Sequence, residues 1–117
     1  MVEEQARVND QETKKDSAPI AVLNDRFRKS GNGIVITDGA QELGDNLGLF
    51  SKVAMFNEFT EENDPYGEHD FGMIVARGHE LLFKIDYYDR DLVHHSPDAA
   101  DPSVTTRVLT IMLADEY

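Results

Sequence analysis

The chain has 117 residues, of which 40% are apolar and 29% charged, a composition typical of one small globular domain. It contains no cysteine, which excludes disulfides and thiolate metal sites. Its 11 basic residues stand against 23 acids, and the net charge of −12 disfavours binding to nucleic-acid phosphates. We therefore expect no direct contact with DNA or RNA, and a basic protein surface as the partner instead.

The negative charge is uneven along the chain. Residues 1–33 hold six acids and six bases, which cancel, whereas residues 34–117 hold seventeen acids and five bases. The excess therefore belongs to the part of the chain that is expected to fold. It is densest in residues 60–70 and 88–101, two polar segments with the composition of loops.

Residues 1–16 are polar, mixed in charge and without apolar periodicity, which predicts a flexible N-terminal arm. Residues 17–117 then form a single domain. No apolar run is long enough for a signal-peptide core or a membrane span. Together with the absence of cysteine, this favours a cytoplasmic location and no membrane contact.

Helical spacing of apolar residues begins soon after the arm. Ile20, Leu23 and Phe27 recur at intervals of three and four residues, which predicts a helix that starts at Ser17. The sequence SGNG at residues 30–33 predicts its end, because glycine adopts the positive φ of a helix C-cap without strain.

The next two segments predict a strand and a second helix. Residues 34–37 form a β-branched run that predicts a strand buried on both faces and bounded by the dipeptide Asp38–Gly39. Residues 43–59 have helical apolar spacing, although Gly44 and Gly48 interrupt it.

Two apolar runs, residues 71–76 and 81–87, are separated by the sequence RGHE, which predicts an antiparallel hairpin with a glycine-containing turn. Further on, Asp101 and Pro102 have the pattern of an N-cap followed by proline at the first helical position. We therefore expect a final helix that starts at this N-cap, with Pro102 as its first residue. A strand is the competing interpretation because the segment is rich in β-branched residues.

The predicted fold is α+β, in the order helix, strand, helix, hairpin, helix. A small antiparallel sheet of about three strands carries the helices on one side. The core is expected to contain Leu23, Phe27, Val35, Phe71, Ile74, Phe83, Ile85, Val108, Ile111 and Met112.

No motif in the chain fixes a reaction, so we expect no catalytic residues and no cofactor. Glu68, His69 and Asp70 supply a metal-binding alternative, with Asp86 as a further ligand, because imidazole and carboxylates bind divalent cations. Their spacing fits no standard metal loop. Lys84 and Asp86 lie on one side of a strand, and an ion pair on the strand surface is a better interpretation than a catalytic pair.

Three blocks of the chain resemble a small bacterial family classified as a domain of unknown function: FTEENDPYGEHDFG, KIDYYDRDL and SPDAADPSVTTRVLTIMLADEY. The resemblance spans residues 20–117. It implies an origin in alphaproteobacterial genomes and plasmids, a setting of mobile elements in which inhibitors of host defence occur. It implies no known activity. Gly44 and Gly48 depart from the more regular helix of the family.

We expect an acidic, non-enzymatic protein-binding module, and more specifically a DNA-mimicking inhibitor that occupies the nucleic-acid-binding surface of a host defence enzyme. The alternatives are a metal-dependent hydrolase or metal-binding protein, and a homo-oligomeric accessory protein with a self-associating apolar patch. The expected partner contacts are Glu61, Glu62, Asp64, Tyr66, Glu68, Asp70, Asp86, Tyr88, Asp89 and Asp91.

Overall fold

A computed structural model describes residues 19–117, and the predicted N-terminal arm lies outside them. Residues 19–30 form helix α1. The other elements are β1 (Ile34–Ile36), α2 (Asp38–Gln41), α3 (Asn46–Met55), β2 (Phe71–Ala76), β3 (His79–Tyr88) and β4 (Thr106–Leu113). Single 3₁₀ turns at Pro102–Val104 and Ala114–Glu116 flank β4. Within residues 19–117, no helix is long and apolar enough to cross a membrane.

The sheet has four strands in the order β1-β4-β3-β2. Strand β3 is antiparallel to both of its neighbours, β2 and β4, whereas β1 runs parallel to β4 and pairs Ile34 with Leu109. The α+β class is confirmed. The predicted three-stranded antiparallel sheet and its element order were wrong, because the C-terminal segment joins the sheet as a strand.

The predicted final helix forms only one turn. Asp101 accepts a hydrogen bond from the backbone nitrogen of Ser103 at 2.9 Å and Pro102 occupies the first position, so the expected helix start is present. The turn then ends because six of the eight residues 104–111 are β-branched, and such side chains favour the extended backbone. Strand β4 becomes the second central strand of the sheet.

The predicted hairpin is confirmed, with a shorter turn than its sequence suggested. Ala76 pairs with His79, which leaves only Arg77 and Gly78 in the turn. Both have positive φ, 52° for Arg77 and 80° for Gly78, as a tight hairpin turn requires. Strand β3 therefore begins at His79 rather than at Leu81.

The interrupted second helix is shorter than predicted. Helix α3 begins only at Asn46, because Asp45 caps it by accepting from the backbone nitrogen of Gly48 at 3.2 Å. A side chain at position 48 would collide with that carboxylate, which explains why the helical pattern has a glycine there. The other, Gly44, has a φ of 76° and redirects the chain between α2 and α3.

The helices pack on one face of the sheet, as predicted. The core on that face consists of Ala40, Leu49, Val53, Ile74, Ala76, Leu81, Phe83, Ile85, Leu109 and Ile111. Met112 is also buried, whereas Leu23, Phe27, Phe71 and Val108 are half-buried. The prediction for Val35 was wrong: its side chain lies on the opposite face of edge strand β1, which no helix covers, and it is exposed.

Candidate protein-interaction site

Both acidic loops leave the sheet at the same end. Because β2 and β3 are antiparallel, the start of β2 at Phe71 lies beside Lys84, near the end of β3. The chain then leaves β3 at Tyr88, which pairs with Thr106 at the start of β4. Residues 58–70 and residues 86–101, which include the last three residues of β3, therefore lie at one end of the sheet, which we call the acidic end.

The acidic end holds eleven acids and one base, Arg90. The acids are Glu58, Glu61, Glu62, Asp64, Glu68, Asp70, Asp86, Asp89, Asp91, Asp98 and Asp101. The opposite end of the sheet carries the turn with Arg77 and the C-terminal residues. The other six acids of residues 34–117 lie towards that opposite end, so the acidic end is the more negative of two acidic ends: Asp38, Glu42, Asp45, Glu80, Asp115 and Glu116.

Four of the predicted contact residues lie fully on the surface. Glu61, Glu62 and Asp91 are exposed, and Tyr66 is 76% exposed. Asp86, Tyr88 and Asp89 are half-buried, and Asp89 accepts from the backbone nitrogen of Val93 at 2.9 Å. The exposed group therefore combines three carboxylates with one aromatic ring.

Asp64 points inwards. It is only 9% exposed, and its carboxylate accepts from the backbone nitrogens of Glu68 at 3.1 Å and His69 at 3.2 Å. These bonds close the loop on itself and hold His69 at a φ of 60°. Asp64 therefore shapes the loop and does not face a partner.

Glu68 is tied to strand β3 and helix α1. The hydroxyl of Tyr87 donates to its carboxylate at 2.8 Å, and the amide of Asn24 donates to its backbone oxygen at 2.9 Å. The same amide donates to the Tyr87 oxygen at 2.8 Å. Burial and the nearby acids Asp70 and Glu68 raise the pKa of Tyr87, so its hydroxyl remains a donor.

Asp70 lies at the start of β2, next to these groups. Burial, followed by the negative charge of Glu68, raises the pKa of Asp70 from its ordinary value of 3.8 to about 6. The backbone oxygen of Asp70 accepts from the nitrogen of Ile85 at 2.8 Å. Its side chain therefore carries a charge that the fold disfavours at neutral pH.

His69 is held by helix α1 and by an aromatic ring. Its Nδ1 lies 2.9 Å from Asp25 Oδ1, and its ring stacks on Phe59 with centroids 4.1 Å apart. Asp25 also accepts from Arg28 at 2.8 Å. Burial raises the pKa of Asp25, but the hydrogen bonds from Arg28 and His69 outweigh it and lower that pKa overall.

Arg28 connects α1 to the segments that precede the acidic loop. It is 2% exposed, and its guanidinium donates to the backbone oxygens of Val53, Phe56 and His69 as well as to Asp25. The guanidinium also lies over the ring of Phe59, 5.1 Å from its centroid. The acidic loop is therefore anchored to a buried cation.

The proposed metal ligands turn towards different partners. Glu68 accepts from Tyr87, and His69 contacts Asp25, whereas Asp70 lies at the start of β2. Among residues 19–117, no group of three or more histidine or acidic side chains is placed to hold a metal ion. The Lys84–Asp86 ion pair is confirmed, with Nζ and Oδ2 3.1 Å apart.

The supporting residues Asn24, Asp25, Arg28 and Arg107 were not predicted from the sequence. A signal was present: Ile20, Asn24 and Arg28 are four residues apart, so they share one face of α1 with the apolar stripe. A polar residue on that face is buried with hydrogen-bond partners. The sequence does not show which partners these are.

Comparison with known proteins identifies the family. Residues 36–116 match the family described as Protein of unknown function (DUF3768), and this range contains β2, β3, β4 and both acidic loops. No curated protein and no solved structure matches the chain. The predicted resemblance to a family of unknown function is confirmed, and the chain belongs to the DUF3768 family.

Proposed function

We propose that the protein is a non-enzymatic binding module whose acidic end docks onto a basic protein surface. The observation that supports this is the common exit of the two acidic loops from one end of the sheet, which brings eleven acids together. Only four bases lie among or against them: Arg90, Arg28, Lys84 and Arg107. Such a surface attracts basic partners over several ångströms and accelerates their association.

The internal anchoring of the loop also supports binding. Asp64, Asn24 and Arg28 fix the backbone of residues 64–69 by hydrogen bonds before any partner arrives. A loop that is already ordered loses less conformational entropy on association. The exposed ring of Tyr66 adds contact area at low entropic cost.

A nucleic-acid-binding protein is the partner class that this charge fits best. The groove of such a protein is lined by lysine and arginine side chains that neutralise phosphates. Clustered carboxylates carry the same negative charge as phosphates and can therefore bind the same groove. The proposal is therefore an inhibitor that competes with DNA or RNA for that groove. A cytoplasmic setting fits the cysteine-free composition.

Two variants of equal net charge test the proposal. The first neutralises the acidic end by E61Q, E62Q and D91N, and the second neutralises three exposed acids at the other end by D38N, E42Q and D115N. Immobilised wild-type protein and the second variant should capture the same basic protein from a native lysate, and the first variant should not. Equal capture by both variants would refute a role for the acidic end.

A competition step tests the choice of partner class. Duplex DNA added to the loaded column should release the captured protein if the acidic end occupies a nucleic-acid-binding groove. Retention of the partner in saturating DNA would exclude the inhibitor proposal. Chloride at matched ionic strength is the control, because salt alone also weakens such contacts.

A further inference from the structure

Strand β2 is an edge of the sheet, and its outward backbone groups have no partner within residues 19–117. The bond from the Ile85 nitrogen to the Asp70 oxygen shows that Asp70 points its backbone towards β3. In an antiparallel ladder this direction alternates, so Gly72 and Ile74 also point inwards. Phe71, Met73 and Val75 therefore point their N–H and C=O groups away from the sheet.

This edge lacks the features by which monomers protect theirs. Over Phe71–Ala76 there is no charged residue, no proline and no bulge in the register with β3. Met73 is 50% exposed and Val75 is 57% exposed. Proteins discourage pairing at an edge with lysine, proline or bulges, and an uncharged, regular edge of six residues is a surface for strand addition.

A groove runs beside the same edge on the helix side. It has a volume of about 590 Å³, and its walls are Lys52, Met55, Phe56, Asn57, Glu58, Met73, Ile74 and Val75. One base and one acid leave it formally neutral, and Met55 at its rim is exposed. In a chain of net charge −12, this strip is where a second copy can approach with little repulsion.

We propose that two copies of the chain pair through β2, antiparallel, about a two-fold axis at Met73. The two-fold axis makes each contact reciprocal, and hydrogen-bonded pairs must join outward-pointing residues. An axis at Met73 pairs Met73 with Met73 of the second copy and Phe71 with Val75 of the second copy. The outward N–H and C=O groups of all three residues are then hydrogen-bonded. The result is a continuous sheet of eight strands.

The charges at the two ends of β2 agree with this register. The strand is preceded by Glu68 and Asp70 and followed by Arg77. Antiparallel pairing places the start of one strand beside the end of the other. Arg77 of one copy, in the turn that follows β2, then lies near the start of β2 in the second copy, close to its Glu68 and Asp70, and unlike charges meet at both ends of the pair.

A cysteine substitution tests the register directly, because the chain has no cysteine of its own. Directly opposite residues in a hydrogen-bonded pair have Cα atoms about 5.5 Å apart, within the range of a disulfide. Full-length M73C should therefore form a disulfide-linked dimer under mild oxidation, at least about tenfold faster than L47C, whose position on α3 is also exposed. Equal rates, or no dimer, would overturn the proposal.

A charge pair gives a second test that does not depend on thiols. M73K and M73E should each sediment as a monomer, because like charges meet at the axis, and their mixture should restore a dimer. A wild-type chain that stays monomeric at the same concentration would overturn the proposal, as would dimers that neither substitution disturbs. If β2 instead pairs with residues 1–18 or with a strand of another protein, then wild type, both Met73 variants and their mixture should all sediment as monomers, which would overturn the proposal.

The dimer proposal is independent of the acidic end. Salt should change the stability of the dimer little, since it screens both the repulsion between two negative chains and the attraction between Arg77 and the acids of the second copy. It should weaken binding at the acidic end steeply. Failure of one proposal therefore leaves the other standing.

Discussion

Arg107 Nε donates a hydrogen bond to the side-chain oxygen of Asn24 at 2.7 Å, across 83 positions of sequence. The nitrogen of the same amide donates to Tyr87 and to the backbone of Glu68. One buried amide thus connects α1, β3, β4 and the acidic loop. The guanidinium of Arg107 also donates to the backbone oxygen of Ala99, in the second acidic loop.

Asn24→Ala should lower the free energy of unfolding by about 2–3 kcal/mol. The substitution removes two donors and one acceptor from a buried site. It leaves Arg107 Nε and the backbone oxygen of Glu68 without their partner. Urea unfolding monitored by circular dichroism measures the change. Arg26→Ala, at an exposed position of the same helix, should cost less than about 0.5 kcal/mol. Similar losses for both variants would contradict the role of the amide.

Asp70→Asn should stabilise the protein at neutral pH and not in acid. The pKa of Asp70 is about 6 in the folded state, against an ordinary value of 3.8, so the folded state binds more protons between these pH values. Stability from this group therefore falls as the pH rises towards 6 and beyond. The full shift corresponds to roughly 3 kcal/mol, and solvent screening of a half-exposed group reduces the expected gain to about 1 kcal/mol.

Paired urea titrations of wild type and Asp70→Asn check this sign. The stability difference should be largest near pH 7.5 and shrink towards zero as the pH falls to 3, below both pKa values, because Asp70 is then largely protonated in the folded and the unfolded state. A difference that is the same at both pH values, or that grows in acid, would show that burial does not raise this pKa.

Arg77→Asn should raise the free energy of unfolding by about 0.5 kcal/mol. Arg77 has a φ of 52°, a conformation that asparagine tolerates better, and Asn-Gly is a favoured pair in two-residue hairpin turns. The ion pair that the substitution removes, between Arg77 and Asp45, is exposed and 4.0 Å long and contributes little. Thermal unfolding should show the gain for Arg77→Asn and none for Arg77→Ala, which removes the same charge.

The sequence was sufficient for the elements whose signals are local. Strands β2 and β3 follow from two apolar runs with a glycine between them, and the end of α1 follows from Gly31 and Gly33. The last segment was misassigned because its N-cap at Asp101 is real and its apolar spacing fits a helix. The segment forms strand β4 because it pairs with β3 and β1, and these partners are distant in the sequence.

The same division applies to the site. The acidic end could be predicted, because a hairpin always places the start of its first strand and the end of its second strand at the same end of the sheet. The inward direction of Asp64 could not, because it depends on the backbone nitrogens of Glu68 and His69 that the folded loop presents. Asn24 and Arg28 were missed because polar residues of an amphipathic helix are normally assigned to solvent.

The central claim is that the acidic end binds a basic partner, and the salt dependence of that binding tests it most directly. With the captured partner purified, Kd is measured over a range of chloride concentrations for wild type and for both triple variants. We expect a steep loss of affinity with salt for wild type and for D38N/E42Q/D115N, and a weaker, flatter response for E61Q/E62Q/D91N. The same slope for all three proteins, or an affinity that does not change with salt, would contradict the account.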